Sequence, residues 1–126
     1  MDAEIDTIPT HDDLIARARE IAPRLAERAE ETDRNRSMLP ETQAELRAAG
    51  LFRTLQARKY GGYELGVPTH LEVAMELARG CASDAWVLGL CASQNRFVGC
   101  YPQAAQDEVF ALSGGDIVTC LVTGPP

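Results

Sequence analysis

One stretch limits the folds open to this chain more than any other. Residues 80–101 read GCASDAWVLGLCASQNRFVGCY, an apolar run with a helix-start signal, almost no charge and the sole Trp, Trp86. Two stripes run along it at helical spacing. Trp86, Leu90, Ser93, Phe97 and Cys100 share one face, and Ala85, Gly89, Ala92, Arg96 and Gly99 share another. A helix that is apolar nearly all round belongs in the middle of a bundle. The stripe of small residues reads as close helix packing. The polar triplet Ser93, Gln94 and Asn95 reads either as the place where such a helix meets a ligand, because a buried amide needs hydrogen-bond partners, or as the point where the helix reaches solvent before Arg96. Trp86 reads either as core or as a pocket wall.

The remaining segments supply the bundle. Residues 1–9 form a disordered lead ended by Pro9. Thr10 is an N-cap, and Asp12 and Asp13 sit favourably in the first turn that follows. Leu14, Ala18, Ile21 and Leu25 recur on one face of a first helix. Pro23 removes the bond to the Arg19 carbonyl and should kink that helix, which continues to about Asp33. Pro40 opens a second helix with Leu46 and Ala49 inward, and Gly50 closes it. Residues 56–68 form a loop with a tight turn at Gly61 and Gly62. A third helix starts at Thr69 with Glu72 completing a capping box, its face made by Leu71, Ala74, Met75 and Ala78 and widened by Val73 and Leu77. His70, at its start, is expected to be exposed. Ser83 caps the apolar fourth helix, and Pro102 opens a fifth with Ala105, Val109 and Leu112 inward. The β-branched run DIVTCLVTG that follows reads as a strand.

A lone strand cannot satisfy its own backbone. The expected architecture is therefore all-α: a helical domain over 10–115, followed at 116–126 by the first strand of a missing β-domain. Charge narrows the partners. The formal net charge of −7 argues against nucleic acid and against an anionic membrane surface. No run approaches a membrane span, and the acidic N-terminus is unlike a signal peptide, so a cytoplasmic protein is expected. The four cysteines lack CxxC spacing and are not clustered with His11 or His70, which excludes a recognisable zinc motif. Cys91 and Cys100 read as core thiols. No catalytic triad and no paired-carboxylate site is visible.

Three motifs in order carry a resemblance: LPETQAELRAAGLFRTLQARKYGGYE (39–64), SDAWVLGLCASQN (83–95) and PQAAQDEVF (102–110). Together they resemble the N-terminal helical bundle of the acyl-CoA dehydrogenase fold. Within it they are most similar to the two-component flavin-dependent monooxygenases that hydroxylate 4-hydroxyphenylacetate, steroid-derived phenols or dibenzothiophenes. The resemblance implies a reduced flavin cofactor, FMN or FAD, delivered by a flavin reductase component, and hydroxylation of an aromatic or polycyclic small molecule. It implies a homo-oligomer in the full-length form, and no activity of these 126 residues alone. It places Trp86 and Asn95 beside the flavin, with Thr123 and Gly124 at the end of the strand, and Ser93 and Gln94 towards substrate. Several phenol hydroxylases carry His where this chain has Gln94. Gln94 cannot take a proton near neutral pH, so that mode of phenol activation is lost here. Two rival readings stand beside this one: an acyl-CoA dehydrogenase-type flavin desaturase, and a non-catalytic helical interaction module.

Overall fold

The structure, a computed structural model, describes residues 7–113. These residues form five α-helices with no strand among them: α1 His11–Asn35, α2 Pro40–Ala48, α3 Val67–Ala78, α4 Ala82–Val98 and α5 Gln103–Ser113. Two single 3-10 turns, Leu51–Arg53 and Arg58–Tyr60, lie between α2 and α3. The expected strand at 116–126 and residues 1–6 of the expected lead at 1–9 lie outside the described residues.

The start of α1 is a reciprocal cap. The Asp13 backbone N–H donates to Thr10 Oγ1 at 3.2 Å, and the Thr10 N–H donates to Asp13 Oδ2 at 2.8 Å. The face Leu14, Ala18, Ile21 and Leu25 is buried, as its spacing requires. α1 runs as one continuous helix through Pro23 to Asn35. Pro23 points to solvent while Ile21, Ala22 and Leu25 around it are buried, so packing on one side holds the helix through the lost hydrogen bond.

The long α1 packs on α3, and α3 on α4, around one core that includes Leu46, Leu51, Phe52, Val73, Leu77 and Leu88. The α3–α4 connection lies against α1 at Gly80. A Cβ there would fall 2.0 Å from the Ala22 carbonyl oxygen, so the close approach of the turn to α1 admits only glycine. The chain between the 3-10 turns and α3 folds back on itself. The Tyr63 N–H donates to Arg53 O at 3.0 Å, and the Leu65 N–H donates to Thr54 O at 2.9 Å. α5 is held by Tyr60, whose ring stacks on Phe110 at 4.3 Å between centroids and whose hydroxyl donates to Asp107 at 2.6 Å.

Several expected details are corrected. α3 begins at Val67 with Gly66 as N-cap, because Pro68 is accepted in a first helical turn, where its missing N–H has no intrahelical acceptor. Thr69 is therefore inside the helix and is not its cap. α4 begins at Ala82 after an extended Cys81, so Ser83 is not its cap. The buried face of α3 is Val73 and Leu77, with Thr69 and His70, whereas Leu71 and Met75 point outward. The buried face of α4 is Asp84, Ala85, Leu88, Cys91, Ala92, Asn95 and Val98. α4 thus lies at an edge of the bundle with an apolar face uncovered. The small-residue stripe is not a packing seam throughout: a Cβ on Gly89 would meet nothing within 4 Å. Cys100 is exposed, unlike the buried Cys91. On α5, Phe110 is buried and Leu112 is exposed.

Candidate functional site

The outward faces of α3 and α4 meet at an apolar groove of about 570 Å³. Its walls are Leu71 and Met75 from α3 and Trp86, Leu90 and Phe97 from α4. These are large side chains left in water: Met75 is 68% exposed, Trp86 70% and Phe97 57%. Residues at i, i+4 and i+11 on α4 share one side of a helix, which is why Trp86, Leu90 and Phe97 line up. A contiguous apolar surface of this kind marks a place where something else binds.

His70 forms part of the floor. It is 6% exposed, and its Nδ1 lies 3.2 Å from Thr54 Oγ1. Burial holds its pKa below the usual imidazole value, and a hydrogen bond to the Gly89 main chain pulls the other way. The imidazole is neutral at pH 7 and engaged on both sides, so it fixes the spacing of α3 and α4 rather than offering a free base. The expectation that it is exposed is overturned. A polar residue near a helix start reads as surface unless its partners, here Thr54 and Gly89, are known.

The structure separates the candidate residues. Trp86 and Ser93 line the groove. Ser93 Oγ donates back to the Leu90 carbonyl at 2.8 Å, which leaves its lone pairs available as acceptors. Asn95 is 1% exposed on the other side of α4, where its Nδ2 donates to the Phe52 carbonyl at 3.2 Å. Gln94 is half-buried and is not among the lining residues. Thr123 and Gly124 lie outside the described residues. The residues missed by sequence reading are Leu71 and Met75, taken as core, and Arg96, taken as part of a packing stripe. The periodicity that would have found Leu71 and Met75 was present, but it does not say which face is covered.

A second concavity of about 540 Å³ lies where the end of α1 meets the start of α4, beyond Trp86. Asp84 is fully buried there, and among the described residues neither of its carboxylate oxygens has a partner at ordinary hydrogen-bond geometry. Burial pushes its pKa up, against smaller pulls from the Cys81 side chain and the Arg28 charge. Among the described residues no cluster of three His, Cys, Asp or Glu could hold a metal. No helix among them is long and apolar enough to cross a membrane.

The groove suits one face of a planar aromatic ring system. It offers aromatic and aliphatic walls, a neutral floor and few polar atoms.

Known proteins resemble this chain in sequence and fold. Residues 9–102 match the model of the family described as acyl-CoA dehydrogenase, N-terminal domain. A pigment production hydroxylase of Rhodococcus sp. is 34% identical over 102 residues, covering 81% of this chain and 26% of that protein. The p-hydroxyphenylacetate 3-hydroxylase, oxygenase component, of Acinetobacter baumannii is 28% identical over 97 residues, covering 77% of this chain and 23% of its own. Among solved structures, XiaF from Streptomyces sp. in complex with FADH2 and glycerol superposes with a TM-score of 0.77 at 31% identity, over 83% of this chain and 26% of that one. The chain therefore spans about a quarter of the length of the curated relatives it matches.

Proposed function

Because this chain belongs to the acyl-CoA dehydrogenase N-terminal domain family, we propose that it is the N-terminal helical part of the oxygenase component of a two-component flavin-dependent monooxygenase. Its substrate is an aromatic small molecule, and a separate flavin reductase supplies reduced flavin. The α3–α4 groove forms one wall of the space that flavin and substrate share. When bound, the reduced flavin supplies the electrons that activate dioxygen. The residues of this chain hold and orient: Trp86, Leu90 and Phe97 present a flat apolar surface, His70, held from behind by Thr54, forms part of its floor, and Ser93 offers an acceptor.

The observation that carries this reading is the groove itself, an apolar, aromatic-walled face left open between two helices that are otherwise packed into a core. The relatives support it, being hydroxylases or oxygenase components by name. The test is an activity measurement on the polypeptide that contains this segment together with the remaining length of its relatives. Given reduced flavin from a reductase and dioxygen, it should hydroxylate an aromatic compound, and Leu90→Arg should abolish turnover while leaving the fold intact by circular dichroism. Oxidation of an acyl-CoA without oxygen incorporation would instead assign a flavin desaturase and sink the monooxygenase reading.

A further inference from the structure

We propose that Arg96 makes the groove selective for aromatic ligands that carry an anionic group. The inference rests on the reading of the groove as a flavin and substrate wall, and it adds the charge class of what binds there.

Of the 15 residues that line the groove, Arg96 alone is fully charged at neutral pH, since His70 is held neutral. Its guanidinium has no hydrogen bond or ion pair with another described residue. Arg36 also has no side-chain partner among the described residues, but it lies outside the groove. Arg19, Arg24, Arg28, Arg34, Arg58 and Arg79 each pair with a carboxylate. A cation in the last turn of a helix is favoured by the helix dipole, which accounts for an arginine near the end of α4 but not for one set beside Phe97 along an apolar lining.

The arrangement suits a ligand with two parts. A ring system lies on Trp86, Leu90 and Phe97, and an anionic substituent reaches the Arg96 guanidinium, whose fork matches carboxylate or phosphate geometry. The formal net charge of −7 repels anions at long range, so any preference for them in the groove has to come from a local cation. A half-exposed pair of this kind gives a preference of about fivefold over the neutral isostere. The anion has two available sources, a carboxylate or phenolate on the substrate or the phosphate of a flavin nucleotide. The chemistry at Arg96 is the same for both.

Trp86 is the sole tryptophan, so the chain gives one indole N–H resonance, placed in the groove. The 126-residue chain is titrated at low ionic strength with two matched pairs, 2-naphthoate against 2-naphthamide and FMN against riboflavin. The charged member of at least one pair should shift the Trp86 signal at about fivefold lower concentration. That gap should vanish in Arg96→Gln and be partly restored in Arg96→Lys. A gap confined to the naphthalene pair assigns the anion to substrate, and one confined to the flavin pair assigns it to cofactor phosphate. Equal binding within both pairs, or a gap that survives Arg96→Gln, overturns the inference and leaves the groove reading standing. A Trp86 signal that responds to none of the four ligands overturns the inference and leaves the proposed function to the activity measurement on the longer polypeptide.

Discussion

Asn95 of α4 donates its side-chain amide to the main-chain carbonyl of Phe52 across 3.2 Å, and so ties the apolar helix to the turn that follows α2. Both groups are buried, and the bond spans 43 positions of sequence. Replacing Asn95 by Ala leaves the Phe52 carbonyl without its donor in a dry setting. The expected loss is about 1–3 kcal/mol of unfolding free energy, read from urea denaturation. Ligand response at Trp86 should be unchanged in buffer without denaturant, because Asn95 is on the far side of the helix from the groove.

The two faces of α3 separate core from groove. Leu77 is fully buried, so Leu77→Ala should cost about 2–5 kcal/mol. Met75 is 68% exposed, and Met75→Ala should fall within about 0.5 kcal/mol of the unmodified chain. Equal losses at both positions in a denaturation series would contradict the helix orientation described above.

Gly80 provides a steric test of the fold. A methyl group there collides with the Ala22 carbonyl, which belongs to backbone and cannot swing aside. Gly80→Ala should therefore destabilise by about 1–3 kcal/mol, although alanine is the better helix former. A neutral or raised melting temperature would show that the turn does not approach α1 so closely.

Two buried titratable groups give stability opposite slopes with pH. The Asp84 carboxyl has its pKa raised by burial, so the folded chain holds its proton more tightly than the unfolded chain does, and stability falls as pH rises above the usual carboxylate value. His70 has its pKa lowered by burial, so the unfolded chain binds the proton more readily. The stability tied to neutral His70 is complete above the ordinary imidazole value and is lost as pH falls through the folded one. Asp84→Asn should raise the urea midpoint at pH 7, with the advantage shrinking towards pH 4. His70→Gln should flatten the decline of the midpoint on the acid side of neutrality.

Much of the helical framework was legible in residue spacing. The buried stripe of α1 and the Thr10 cap follow from patterns within a single helix. What spacing could not convey was which side of α3 and α4 is covered. Both helices carry apolar residues nearly all round, so Val73 with Leu77 and Leu71 with Met75 look alike until a neighbour is placed. His70 was misread for a related reason, since its hydrogen-bond partners are Thr54 and Gly89, each remote in sequence. Asn95 is a buried amide whose Nδ2 finds a partner while its Oδ1 finds none among the described residues. The partner among the described residues is the chain's own backbone, which no local pattern announces. Arg96 fell in a stripe of small residues and was absorbed into it, because its lack of an ionic partner is visible only in three dimensions.

Gly89 carries a consequence for the breadth of what can lie between α3 and α4. It sits in mid-helix, where glycine is about 1 kcal/mol less favourable than alanine, and no neighbour requires its small size. Gly89→Ala should therefore make the chain more stable while raising a methyl group into the floor of the groove. Thermal resistance and ligand capacity would then move in opposite directions at a single carbon atom. The native chain stands on the side of the wider opening.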